Sequence, residues 1–183
     1  MAEDIVIYEL KRMDIRGATV IDGFPSVGLV SSIVANYLIN TMKLTQIGIM
    51  DSVYFPTVSL IREGMPQNPV RIYAGEKVGE GTGSSDQLVV FISEFQPPPN
   101  LVKPIASAML DWAQDQRCKM LVSPEGLVID KESVEIDDEK QDMGIYGVGS
   151  TQWMKNELEK GCLSEFTEGV ITGVAGVLLN EGK

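Results

Sequence analysis

The sequence contains no histidine. This absence excludes Ser-His-Asp and Cys-His nucleophile activation, histidine-ligated zinc and the imidazole proton shuttle. Enzymes that use carboxylates and lysine alone remain compatible with it, so the absence disfavours catalysis without excluding it. We therefore expect no catalytic residue, no metal site and no cofactor, and whether the chain is an enzyme stays open at this point.

Positive charge, cysteine and long apolar runs are also scarce. The 15 Lys and Arg against 26 Asp and Glu give a net charge of −11, which argues against nucleic acid and against an anionic membrane surface. Cys118 and Cys162 are isolated and form no C-x-x-C pair, as in reduced proteins. No stretch reaches the roughly 18 apolar residues of a membrane span, and the start MAEDIVIYEL has no basic signal-peptide region. These features predict a cytoplasmic protein.

The 183 residues, 44% of them hydrophobic, suit a single domain over residues 1–183. Apolar runs typical of strands alternate with helical patterns along the whole chain. Predicted strands are 5–10, 18–23, 44–50, 58–61, 69–73, 87–93, 119–123 and 144–149. Predicted helices are 26–41, one that follows the break QPPPN (96–100) and ends at about 117, and 151–160. Residues 130–142 are dominated by acids and predict either a solvated surface loop or a mobile segment. The alternation predicts an α/β sandwich with a mostly parallel central sheet.

The helix predicted at 26–41 carries apolar residues at the spacing of one helical face. The residues of this stripe are Val30, Ile33, Val34, Tyr37 and Leu38.

The turn before that helix, GFPSVG (23–28), resembles a phosphate-binding loop only in its glycine spacing. A P-loop continues with Lys and then Ser or Thr, but Leu29 and Val30 stand there. A weak anion site at the helix N-terminus stays open. The competing interpretation is that Gly23 and Gly28 serve a sharp turn with close helix–sheet packing. We favour the second.

Phe24 and Pro25 would then form an apolar corner that is either core or contact surface.

Arg71 and Glu94 are the polar residues most suited to a site. Arg71 alternates with apolar neighbours on a strand, and Glu94 follows a buried strand, where α/β proteins place ligand groups. They are either a structural ion pair, which we favour, or a substrate-binding pair. Other acids show no spacing that marks a two-carboxylate mechanism or a metal cage: Asp22, Asp51, Asp111 and Glu125.

Five stretches together resemble the proteasome assembly chaperone family, in its second-subunit-like archaeal and bacterial branch. They are GFPSVGLVSSIVANYLI (23–39), FPTVSLIREGMPQNPVRIYA (55–74), LVVFISEFQPPP (88–99), LDWAQDQ (110–116) and GVITGVAGVLL (169–179). The resemblance implies a three-layer α/β/α fold related to nucleoside phosphorylases and peptidyl-tRNA hydrolases. It also implies homo-oligomers that bind proteasome α-subunits without chemistry.

The resemblance has two departures at the C-terminal end. Members of the family continue past the 169–179 segment through another strand and helix, so we expect the chain to lack both. Archaeal members that dock on the proteasome end in a hydrophobic–Tyr–any-residue tail, whereas residues 180–183 read NEGK.

We therefore predict that the chain contacts α-type subunits through an apolar corner formed by Phe24, Pro25, Val27 and Gly28. The alternative, resting on fold kinship alone, is an enzyme on a phosphorylase-like fold that acts on a nucleoside or a phosphate-bearing ligand through Arg71 and Glu94.

Overall fold

A computed structural model describes residues 5–75, 87–126 and 144–182 of the chain. The strands are β1 Val6–Glu9, β2 Thr19–Gly23, β3 Thr45–Asp51, β4 Leu60–Arg62, β5 Met65–Gln67, β6 Val70–Ala74, β7 Leu88–Ser93, β8 Met120–Val122, β9 Tyr146–Gly147 and β10 Ser164–Glu165. The helices are α1 Val30–Thr41, α2 Pro99–Asp115, α3 Gln152–Lys160 and α4 Gly173–Glu181, and a 3-10 turn at Val27–Leu29 precedes α1. Each predicted strand and helix has a counterpart in the structure, whereas β5, β10 and α4 were not predicted. The acidic segment 130–142 lies outside the described residues.

Six strands form the main sheet, in the order β1-β3-β6-β7-β2-β8. The prediction of a mostly parallel sheet is wrong. Strands β7, β2 and β8 run parallel, but β1–β3, β3–β6 and β6–β7 are antiparallel pairs. Parallel neighbours need a crossover connection, which is usually helical. Helix α2 supplies one between β7 and β8, whereas β3 and β6 are joined through the β4–β5 hairpin.

Helices cover both faces of the sheet, which gives three layers. Alternate residues of the buried strands point to opposite faces, so Val89 and Phe91 pack with α2 and α4 while Val90 and Ile92 pack with α1. Strand β7 is buried along almost its whole length, as its continuous apolar run predicts. The three-layer α/β/α arrangement implied by the family resemblance is therefore present.

Helix α1 buries only part of the apolar stripe that its sequence displays: Val30, Val34 and Leu38 are half-buried. Its buried residues are Ser31, Ala35 and Ile39, whereas Ile33 and Tyr37 are 63% and 66% exposed. Small residues bring the helix close to the sheet, because a Cβ placed on Gly23 of β2 would lie only 2.5 Å from Ala35 Cβ. Close approach of the backbones thus decides which face is buried.

Strands β2, β3, β7 and β8 all end at the same edge of the sheet, as the pairing directions require. We call this the carboxyl edge. The turn that leads into α1 and the residues after β3, β7 and β8 lie along it. In the described parts of the chain, no helix combines the length and apolarity that crossing a membrane would require.

Candidate functional site

The turn between β2 and α1 is a tightly packed corner. A Cβ on Gly23 would lie 2.4 Å from the carbonyl oxygen of Phe91, so only glycine lets β2 and β7 end together here. Gly28 has a φ of 67°, in the left-handed region that favours glycine. The amide of Leu29 closes the turn by donating to the carbonyl of Ser26 at 2.9 Å. These contacts support the packing interpretation of the two glycines.

Phe24 belongs to the core rather than to the surface of this corner. Its side chain is 2% exposed and lies in the cluster that packs with α2. Its backbone is held at both ends: the amide donates to Asp22 Oδ1 at 2.9 Å, and the carbonyl accepts from Ser31 Oγ at 2.5 Å. Of the two roles that the sequence leaves open for Phe24, core or contact surface, the structure shows the first.

The exposed apolar residues of the corner are Val27 and Leu29, which are 45% and 56% exposed. Pro25 beside them is half-buried. Any apolar contact made by the corner in this state of the chain therefore passes through these side chains.

A network of carboxylates and hydroxyls lies beneath the corner. Asp22, at 1% exposure, accepts a hydrogen bond from Ser123 Oγ in the loop after β8. Glu125 in the same loop is hydrogen-bonded to Ser26, whose hydroxyl lies 2.8 Å from that of Ser31. The network therefore ties the 123–126 loop to the start of α1.

The backbone of the 123–126 loop also packs against the corner. A Cβ on Gly126 would lie 2.3 Å from the carbonyl oxygen of Val27, so the loop and the turn are in direct contact. The polar network lies at this contact, where Asp22 and Ser31 are buried and Ser26, Ser123 and Glu125 are half-buried.

Burial shifts the acids of this network toward the protonated form. It raises the pKa of the Asp22 carboxyl from 3.8 to about 6, although the hydrogen bonds from Ser123 and the Phe24 amide oppose the shift. Burial also raises the pKa of Glu125, its hydrogen bond with Ser26 lowers it, and repulsion from Asp22 raises it further. Two acids near each other in a partly dry environment are a source of pH-dependent stability.

Asp22 and Glu125 showed no spacing in the sequence that marks a two-carboxylate mechanism or a metal cage, and they lie about one hundred residues apart. The parallel register of β2 and β8, which places Ile21 beside Val122, brings them together. A detectable signal was present: each acid follows an apolar run that forms a strand of the main sheet.

Arg71 and Glu94 meet, as the ion-pair interpretation predicts. Arg71 is fully buried on β6, and its Nη2 lies 2.5 Å from Glu94 Oε1. Its Nη1 donates to the carbonyl of Asn68 at 2.8 Å, and its Nε donates to the Tyr73 hydroxyl at 3.3 Å. All three guanidinium nitrogens are thus engaged within the chain, and Glu94, whose side chain is 29% exposed, is the member of the pair that reaches solvent.

An open cleft of about 410 Å³ lies along the carboxyl edge beside this pair, between residues 51–59 and 68–69. Hydroxyls and an amide alternate with apolar side chains in its lining, and Asp51 is the charged residue among them. The lining includes Ser52, Val53, Thr57, Val58, Ser59 and Asn68. Within residues 5–75, 87–126 and 144–182, no three Cys, Asp or Glu side chains lie together as metal ligands would.

The point between β2 and β7 is where an α/β fold of this kind commonly binds a ligand, because the helices that follow the two strands lie on opposite faces. Here the residue that leaves β2 at this point is the buried Phe24. The polar side chains around Phe24 are hydrogen-bonded to one another: Ser123 to Asp22, and Ser26 to Ser31. This arrangement defines a class: an α/β/α protein whose carboxyl edge has polar side chains hydrogen-bonded within the chain and an apolar corner.

The sequence pattern of the PAC2 family matches residues 20–183, and the chain belongs to this family. It is 24% identical over 179 residues to the uncharacterized protein MJ0106 of Methanocaldococcus jannaschii, covering 98% of this chain and 66% of that protein. Among solved structures, it is similar to Pyrococcus furiosus PbaA, described as an archaeal homolog of proteasome-assembly chaperone. Identity is 28% and the TM-score 0.78, over 97% of this chain and 66% of PbaA.

Pyrococcus furiosus PbaB, described as an archaeal proteasome activator, shares the fold with a TM-score of 0.77 at 23% identity, over 98% of this chain and 75% of PbaB. The chain spans about two thirds of the length of MJ0106 and PbaA. The family resemblance seen in the sequence is therefore confirmed.

Proposed function

We propose that this chain is a non-enzymatic assembly factor that binds proteasome α-type subunits or a related assembly, and that it self-associates. The observation that carries the proposal is PAC2 membership over residues 20–183, together with the likeness to PbaA over 97% of the chain. The site agrees with it, because the guanidinium of Arg71 and the carboxylate of Asp22 are engaged inside the chain rather than presented to a substrate.

The corner is the surface that we propose for the client protein. Val27 is 45% exposed, Pro25 is half-buried and Gly28 is exposed beside them. An apolar centre with a polar surround is the usual anatomy of a protein interface. Hydrogen bonds tie the turn to the 123–126 loop beneath it, and a surface that is ordered before binding loses less entropy on binding.

The test is direct binding of the purified chain to proteasome α-subunits from the same organism, measured by biolayer interferometry. We expect a dissociation constant of about 10 μM or tighter. Val27→Asp should weaken binding by at least about tenfold, because an aspartate in an apolar contact stays unpaired. Val170→Asp, at a site 84% exposed and remote in sequence, is the matched control and should bind like the wild type. Absence of any complex at about 100 μM would contradict the proposal.

The alternative, an enzyme acting on a nucleoside or a phosphate-bearing ligand on a phosphorylase-like fold, has one observation in its favour: the open cleft of about 410 Å³ next to Glu94 and Asn68. Its volume is in the range of small-molecule sites. A thermal-shift panel of nucleosides, nucleotides and phosphate separates the two, since a ligand that binds the folded state raises the melting temperature by mass action. We expect no shift with any of these compounds, and a saturable shift would favour the enzyme.

A further inference from the structure

Helix α1 and the turn before it form an exposed surface without charge. Residues 23–42 contain no Asp, Glu, Lys or Arg, in a chain that is 22% charged. Leu29, Ile33 and Tyr37 follow one another at helical spacing and are 56%, 63% and 66% exposed. We call these three residues the outer face of α1. Depletion of charge together with aromatic and aliphatic side chains is the composition of the buried centre of an interface, and a helix of a soluble monomer normally turns such a stripe inward.

The β4–β5 hairpin is a second apolar surface that nothing in the described residues covers. It is a separate two-stranded sheet, paired only with itself. Ile61 and Pro66 lie opposite each other across the strands and share one face, and Ile61 is 63% exposed. Residues 52–61, which lead into the hairpin and include the first two residues of β4, carry no charge, and the next two residues, Arg62 and Glu63, carry one charge of each sign. An isolated two-stranded hairpin is marginally stable in water, so this one is expected to rest on another surface.

We infer that the outer face of α1 receives the β4–β5 hairpin of a second copy of this chain. Each chain carries one helical face and one hairpin, so a pair of copies can cover both surfaces, and self-complementary pairing of this kind is how symmetric dimers form. Charge supports a second copy in particular. Two chains of net charge −11 repel each other, and contact between them is favoured where neither surface has a net negative charge. The outer face of α1 is uncharged, and Arg62 and Glu63 of the hairpin carry opposite charges. The inference rests on the self-association in the proposed function and assigns its surfaces.

The test is a charge pair placed at two isoleucines of equal exposure. Ile33→Lys changes the outer face of α1, Ile61→Glu changes the hairpin, and both residues are 63% exposed in the single chain. Sedimentation velocity should show an oligomer for the wild type at about 10 μM. Each variant alone should raise the dissociation constant of that oligomer at least about tenfold, because one unpaired charge is then buried. Ile145→Lys, at an isoleucine 75% exposed outside both surfaces, should leave it unchanged.

Mixing the two variants tests the pairing itself. In a mixed contact Lys from the helix of one copy meets Glu from the hairpin of the other, while the remaining contact is wild type, so association should return in the 1:1 mixture. Helix-to-helix contact between copies would give no rescue and would overturn the inference, as would oligomers that persist in both single variants.

Binding to α-subunits is measured separately on the same proteins. Loss of self-association with retained subunit binding supports the inference. An oligomer without subunit binding would overturn the client assignment alone, whereas a monomeric wild type would overturn the self-association and this pairing together.

Discussion

Arg71 and Glu94 form an ion pair across neighbouring strands, with Arg71 Nη2 at 2.5 Å from Glu94 Oε1 and the arginine side chain fully out of solvent. The pair joins β6 to the residue that follows β7, at the carboxyl edge beside the open cleft. Arg71 is fully buried whereas Glu94 is partly exposed, and this difference determines how substitution of either residue affects the stability of the fold.

Arg71→Ala should destabilise the fold by about 3 kcal/mol, because Glu94 and the carbonyl of Asn68 lose their buried partner. The double change Arg71→Met with Glu94→Leu should recover part of this loss, since replacing both charges leaves none uncompensated. Chemical denaturation measures both. Arg16→Ala is the matched control: its partner Asp14 and Arg16 itself have side chains that are 56% and 65% exposed, and its effect should stay within about 0.5 kcal/mol. Full stability of Arg71→Ala would argue that the pair is not structural.

Stability should fall as pH rises from about 4 to about 7 through the titration of Asp22. A carboxyl whose pKa is raised in the folded state, here from 3.8 to about 6, binds protons more tightly when folded. Its contribution is fully present below 3.8 and lost as pH passes about 6. The difference in unfolding free energy between Asp22→Asn and the wild type should therefore shift by about 3 kcal/mol in favour of the variant over this range.

Ser123→Ala provides the control for that titration. The serine hydroxyl donates to Asp22 and lowers its pKa, so removing it should move the midpoint of the stability loss to higher pH. A pH profile of Asp22→Asn that parallels the wild type would show that Asp22 does not titrate in this range.

Gly23→Ala should destabilise the fold by about 1–3 kcal/mol. The new Cβ would overlap the Phe91 carbonyl oxygen at 2.4 Å and Ala35 Cβ at 2.5 Å. Thermal unfolding compared with Gly161→Ala checks this. Gly161 has a φ of −77° and its nearest neighbour would lie 3.4 Å from a new Cβ, so that change should cost little. Equal tolerance at both glycines would mean that α1 does not lie as close to β2 as described.

Phe24→Ser should cost about 3–5 kcal/mol, as expected for a phenylalanine that is 2% exposed. Val27→Ser, three residues later and 45% exposed, should change stability by less than about 1 kcal/mol while weakening subunit binding. Urea unfolding and the binding assay together separate core from contact surface. A Phe24→Ser protein that is stable but no longer binds the subunits would show that Phe24 is an interface residue.

Local patterns in the sequence predicted most of the strands and helices, although not β5, β10 or α4, and they also predicted the burial of β7 and the family. These depend on local periodicity, on the length of an apolar run and on stretches such as GFPSVG that stay recognisable without a structure. The sequence also proposed the pairing of Arg71 with Glu94, since a charge between apolar strand residues needs a nearby partner.

Only the tertiary structure decided the direction of the sheet, the buried face of α1 and the contact between Asp22 and Ser123. Strand direction depends on how distant segments pair. The hydrophobic pattern of α1 favours burial of the stripe containing Ile33 and Tyr37, yet the face that approaches Gly23 is the one with Ala35, and Ile33 and Tyr37 remain exposed. Asp22 and Ser123 meet across 101 residues of sequence through strand register, and no local pattern carries information about such a contact.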